Sequence, residues 1–412
     1  MIEVNRLILD NGLRVIHSGD TSTQMVTLNL LYKVGSRNEH PEHTGFAHLF
    51  EHLMFGGSVH IPNYDAPLQT AGGTNNAYTT NDYTNYYLTI PAGNVETGFW
   101  LESDRMLGLA FTPQSLEVQR MVVCEEFKQN YLNRPYGDLA HLTRGLAFQV
   151  HPYRWPTIGK ELEHIKKATL DDVKEFFYHY YAPNNAILSI TGNLLKEEAF
   201  RLAEKWFGDI PYRKGIEQVI PQEPEQIEER RLTVERKVPV DFLYMAFPMV
   251  HRLHPDFYVY DMLSDLLANG NSSRLISRLV KERSVFSAVD ATISGCLDAG
   301  LLQINGQPQQ GVSMEEAEAA VWQELESLKE DLIADFELEK VKNKYESMRL
   351  LDNLNTQDLA ANLAYFEFIG KAENINEEVL RYREVTPGDI RRVARDVFQH
   401  RKCNTVYYLA KL

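Results

Sequence analysis

The run His48-Leu49-Phe50-Glu51-His52 holds the residue types and spacing best suited to chemistry in this sequence. No residue from Gly45 to Phe55 is read as breaking a helix, Thr44 is a suitable N-cap, and Gly56-Gly57 is a suitable stop. On that helix His48 and His52 lie one turn apart on one face, with Glu51 beside them. Phe46, Leu49, Phe50 and Leu53 cover the opposite side. A helix so apolar is buried, and buried ionisable groups must be paired or hold a metal. Two imidazoles in this register can point at one Zn²⁺, and a carboxylate next to the second can take a proton from a water activated there. The plainer alternative is two core histidines hydrogen-bonded to a neighbouring glutamate.

A metal site of this kind needs a third protein ligand. Thr112-Pro113 opens a second helix, with Thr as N-cap and Pro at the first helical position, expected to run to about Leu132. Leu116, Val123 and Phe127 share one arc of it, with Val122 at the edge. Glu126 falls inside that arc, whereas Glu125 is turned about 100° toward the rim. A carboxylate on an apolar face requires a cation. Glu126 is therefore the candidate third ligand, against the alternative of a core-edge Glu paired with Lys or Arg.

Strands must position these helices. Leu7-Ile8-Leu9 and Leu13-Arg14-Val15-Ile16 flank an Asp10-Asn11-Gly12 turn, a hairpin signal, and Val26 to Tyr32 alternates like a half-buried strand. After the zinc-type helix, Gly72-Gly73-Thr74-Asn75-Asn76-Ala77-Tyr78-Thr79-Thr80 and Thr84 to Ile90 form a second expected hairpin. Ala92 to Leu107 reads as helix and Ala186 to Thr191 as a buried strand. The stretch 213–230, rich in Pro, Glu and Gln, reads as a linker between domains 1–212 and 231–412. The second half restarts the pattern with a strand at Val240 to Phe247 and a helix at Asp256 to Ala268 that lacks the His-Glu-His stripe. A long acidic helical stretch, Met314 to about Leu351, and a strand, Thr405 to Leu409, complete it.

The totals bound the class. A chain of 412 residues exceeds one ordinary core, so two domains are expected. The net charge of −15 disfavours a nucleic-acid partner. No apolar run is long enough to span a membrane, and Met1-Ile2-Glu3-Val4-Asn5-Arg6 does not read as a secretion signal. Cys124, Cys296 and Cys403 are too few and too scattered for a disulfide framework or a thiolate zinc site, so a reducing, cytoplasmic compartment is expected.

On His48-Leu49-Phe50-Glu51-His52, the inverted zinc motif H-x-x-E-H, together with Gly72-Gly73, Asn76-Ala77, Val122-Val123-Cys124-Glu125-Glu126, His151-Pro152-Tyr153 and Gly270-Asn271-Ser272-Ser273-Arg274-Leu275, the chain resembles the M16 (pitrilysin-like) zinc peptidases over essentially its whole length. The length fits the M16B subunits. The resemblance implies an α+β fold of two similar domains, each a mostly antiparallel sheet packed against helices, forming half of a clamshell around a closed chamber. It implies one Zn²⁺ on His48, His52 and Glu126, with Glu51 as general base. It implies substrate binding by strand addition at Asn76 and Ala77, and the function of a metalloendopeptidase acting on peptides or unfolded polypeptides. The sequence departs from the family at two places. Gln119 stands where many members carry a supporting Glu, and Val280 and Ser287 stand where active M16B chains carry an Arg and a Tyr that hold substrate from the facing half. Neither Val nor Ser can replace those donors. A heterodimer is therefore expected, with a homologous partner that lacks the zinc motif and supplies the Arg/Tyr pair. The competing reading is a non-catalytic assembly subunit or peptide-binding protein of the same fold.

Overall fold

The structure, a computed structural model, describes residues 1–214, 218–295 and 297–411. Cys296 and part of the expected linker, 215–217, lie outside the described residues. The chain forms two compact units whose segments interleave in sequence. The first comprises Met1–Asn130, Trp155–Ile220 and Leu350–Glu377; the second comprises Tyr131–Arg154, Pro221–Arg349 and Glu378–Leu412. The consecutive division expected from sequence thus needs correction. The crossing near residue 220 falls within the expected linker, but 131–154 and 350–377 each belong to the opposite unit.

Four helices matter most for the site and its support: α1 (Phe46–Leu53), α2 (Pro113–Phe127), α3 (Leu139–Ala147) and α4 (Thr356–Ile369). The first sheet contains β1 (Asn5–Ile8), β2 (Arg14–Gly19), β3 (Met25–Tyr32), β4 (Thr74–Thr79), β5 (Thr84–Pro91) and β6 (Ala186–Gly192), in the order β1-β2-β6-β3-β5-β4. The second contains β7 (Arg230–Arg236), β8 (Phe242–Met249), β9 (Phe286–Ile293), β10 (Gly300–Pro308) and β11 (Asn404–Ala410), in the order β7-β11-β8-β10-β9.

The two sheets repeat one plan. In each, one parallel pair (β2 with β6, β7 with β11) is followed by antiparallel neighbours out to an edge strand, β4 or β9. The helix Phe257–Ala268 follows β8 as α1 follows β3. The restart of the pattern expected from sequence is therefore a structural repeat.

Each sheet is also covered by a helix from the other half of the sequence. Leu359, Leu363, Ala364 and Phe366 of α4 pack with Ile16, Leu31 and Ile187 of the first sheet. The Thr191 hydroxyl donates to the Thr356 carbonyl at 2.6 Å. This cover buries both faces of β3 and β6, polar Thr27, Asn29, Ser189 and Thr191 included, so β3 is not the half-buried strand that its alternation suggests. In the second unit Ala147 of α3 and the following Phe148 pack with Tyr244, Ala246, Leu301 and Val406. The acidic stretch expected as one long helix is two, Met314–Glu330 and Asp335–Asp352. No helix among the described residues is long and apolar enough to cross a membrane.

Candidate metal centre

α1 lies with Phe46, Ala47, Leu49, Phe50 and Leu53 buried and His48, Glu51 and His52 along its half-buried face. Phe50 anchors it, its ring stacked on Phe176 and Tyr181 at 4.8 and 5.1 Å between centroids. The helix starts one residue later than expected. Its cap is Gly45 rather than Thr44, and it ends at Leu53 with Met54, ahead of Gly56-Gly57. Gly45 has φ +87°, a conformation glycine adopts without strain, and a Cβ there would meet the Ile158 carbonyl oxygen at 2.5 Å.

The capping group is Glu39, which sequence reading missed. Its carboxylate accepts the backbone N–H groups of Gly45 and Ala47, each at 2.9 Å, and the indole N–H of Trp155 at 3.1 Å. A carboxylate at a helix N-terminus meets both the unpaired amides and the positive end of the dipole. Glu39 is only 3% exposed, and that burial pushes its pKa up to about 8 against the donors that pull it down. No local spacing signals this contact, because Glu39 precedes the cap by a loop and Trp155 arrives from a distant segment. The Thr44 hydroxyl is engaged elsewhere, with His164 Nδ1 at 2.8 Å and the Lys160 amide at 2.8 Å.

α2 begins as expected at Thr112, whose side chain accepts from the Ser115 amide, but its regular part stops at Phe127 and continues as a π-helical segment, Lys128–Leu132. Val123 and Phe127 are buried, and this packing turns Glu126 toward α1. Glu126 Oε2 lies 3.7 Å from His48 Nε2 and 3.4 Å from His52 Nε2. One ligand atom from each of the three residues falls within 4.8 Å of the others, the only such His, Cys, Asp or Glu group among the described residues. Glu125 instead pairs with Lys128 at 2.5 Å on the exposed side.

The protonation states suit a cation. Burial lowers the His48 pKa to about 4, so the ring is neutral near pH 7. The hydrogen bond from His52 holds Glu126 below the usual carboxylate range. Two imidazoles and an anionic carboxylate converging within reach of one point are a donor set that fits Zn²⁺. Among the described residues no group hydrogen-bonds the buried Nδ1 of His48.

Glu51 accepts from the Thr79 hydroxyl at 2.6 Å. Burial raises its pKa and that bond opposes the rise. Thr79 was not singled out from the sequence, although strand alternation places it on the face of Ala77 and so toward α1. Asn76 and Ala77 lie on β4, which pairs with β5 along one side only. Asn76 is exposed and its side chain accepts from the Ala77 amide, while Ala77 is buried. In the second unit Val280 packs against the core, Ser287 donates to the Gln307 carbonyl, Arg278 pairs with Glu324, and Arg283 bonds Gln323. Of the remaining histidines that flank α1, His60 Nδ1 pairs with Asp104 at 2.6 Å, and the His40 and His43 rings meet edge to face at 6.0 Å. Cys124 is a buried free thiol.

Residues 14–148 match the family described as Insulinase (Peptidase family M16), and residues 167–345 match the Peptidase M16 inactive domain. The chain is 28% identical over 405 residues to Zinc protease PqqE of Helicobacter pylori, covering 97% of this chain and 91% of that protein. The crystal structure of a protease from Helicobacter pylori superposes with a TM-score of 0.93 at 27% identity, covering 99% of this chain and 100% of that one. The periplasmic protease PqqL of Escherichia coli shares the fold, with a TM-score of 0.82 at 19% identity, over 100% of this chain and 48% of that one. With both halves matched by domains of one peptidase family, and a zinc protease similar over nearly its whole length, the chain belongs to family M16.

Proposed function

We propose that the chain is a zinc-dependent endopeptidase that hydrolyses peptides or unfolded polypeptides. The observation that carries this reading is the convergence of His48, His52 and Glu126 within 4.8 Å, with Glu51 on the same face of α1. Bound Zn²⁺ supplies Lewis acidity at that point. Glu51 takes a proton from the attacking water and returns it to the leaving amine nitrogen. The unpaired side of β4 offers backbone groups of Asn76 and Ala77 to an extended peptide, which orients the peptide while reading its side chains loosely.

The chain works as one half of a two-subunit enzyme in this proposal, closing a chamber with a homologous partner that carries the Arg/Tyr pair. Three observations support it. Val280 and Ser287 offer neither a cation nor a phenol, the nearby Arg278 and Arg283 are engaged by Glu324 and Gln323, and the chain corresponds to about half the length of Escherichia coli PqqL. The mechanism is tested with Glu51→Gln, which is expected to keep zinc and peptide binding and to lose cleavage. Retained turnover would remove Glu51 from the base role. Full activity of the purified chain as a homodimer would overturn the pairing.

A further inference from the structure

We infer that Thr79 is a positioning residue, whose hydroxyl orients the Glu51 carboxylate for proton transfer and links that orientation to peptide pairing along β4. The inference rests on the reading of Glu51 as the base.

Thr79 is the last residue of β4, the strand that holds Asn76 and Ala77. Its Oγ1 donates to Glu51 Oε2 at 2.6 Å, and the Thr79 backbone N–H bonds the same carboxylate. A carboxylate on a three-torsion side chain is free to rotate about its last bond. Donation from Thr79 restricts that rotation, and its hydroxyl supplies the short bond that fixes Oε2. The donor is itself well held. Thr79 pairs with Thr84 of β5, and the Thr84 hydroxyl donates to the Val34 carbonyl at 2.9 Å.

The other side of β4 is unpaired, so the element that fixes the base also offers the backbone on which a peptide would add as a strand. A peptide pairing there restrains the strand that carries Thr79. The Thr79–Glu51 bond is then most restrained when substrate is in place, which aligns the base in the bound complex rather than tightening substrate binding.

The test compares Thr79→Val, which keeps shape and removes the hydroxyl, with Thr79→Ser, which keeps the hydroxyl. Cleavage of a quenched unfolded peptide is followed with the full chain and its partner. Zinc content is measured on the same samples, and binding of a fluorescein-labelled, uncleaved peptide is measured by anisotropy in a Glu51→Gln background. Thr79→Val is expected to lower kcat on the order of 10- to 100-fold, with zinc content and peptide Kd unchanged. Thr79→Ser is expected to stay close to wild type. Wild-type kcat in Thr79→Val overturns the inference. So does a loss of zinc or peptide binding that matches the loss of kcat, and so does a Ser variant as poor as Val. Should Thr79→Val not fold, the Ser and Ala pair gives the same contrast. Inactive Glu51→Gln with active Thr79→Val rejects only the role of Thr79, whereas active Glu51→Gln rejects the base and with it this inference.

Discussion

Burial keeps His48 neutral, with a pKa near 4, while the His52 ring, 3.4 Å away, holds Glu126 below the usual carboxylate range. Glu126→Gln removes both the charge and the ligand, and is expected to weaken zinc binding by more than the 10- to 100-fold that loss of an outer contact typically costs. Glu125→Gln, which loses only a surface pair with Lys128, is expected to leave zinc affinity unchanged. Competition with a zinc chelator measures both. Equal losses would mean that the two glutamates share the site. Which of these neighbours faces α1 was visible in the sequence because one residue of helix is about 100° of rotation, and Val123 and Phe127 mark the inner side. Glu39 and Trp155 were not visible, because their contacts with α1 join segments far apart in sequence.

At the scale of the element, α1 depends on one glycine and one buried carboxylate. Gly45→Ala places a Cβ at φ +87° against the Ile158 carbonyl oxygen, and is expected to destabilise the protein by about 1–3 kcal/mol in denaturant unfolding. Glu39 gives stability a pH dependence. Its pKa is about 8 when folded and about 4.3 when unfolded. Between these values the unfolded chain has released a proton that the folded chain retains. The contribution of Glu39 is therefore full below about pH 4.3 and falls as pH rises toward 8. The stability difference between wild type and Glu39→Gln is expected to shrink from pH 5 to pH 8 in denaturant titrations. A difference that grows over that window would mean that Glu39 is ionised in the fold. The strand pattern was legible from alternation and turn residues, as the β1–β2 and β4–β5 hairpins show. The end of α2 was not, since the apolar spacing continues past Phe127 while the backbone passes into a π-helical segment.

At the scale of the whole molecule, the exchange of covering helices makes the two halves of the sequence interdependent. A fragment ending at Ile220 lacks α4, which covers β3 and β6 of the first sheet. Such a fragment is expected to aggregate, because that face is apolar. Fusion of residues 350–377 to it is expected to restore a monodisperse species in size-exclusion chromatography, and a soluble, cooperatively folding 1–220 fragment would contradict the account. Sequence alone did not reveal the exchange, since helix periodicity reports an apolar face and not the sheet it covers. The repeated sheet plan and the single zinc-type stripe leave one candidate centre, in one unit, among the described residues. The most direct test is cleavage of a quenched unfolded peptide by the zinc-loaded chain, alone and with a homologous partner subunit that carries the Arg/Tyr pair, with Glu51→Gln as the blank. The account predicts one zinc per chain, little cleavage alone, and strong cleavage with the partner that chelation abolishes. Absence of zinc-dependent cleavage both alone and with the partner would contradict it.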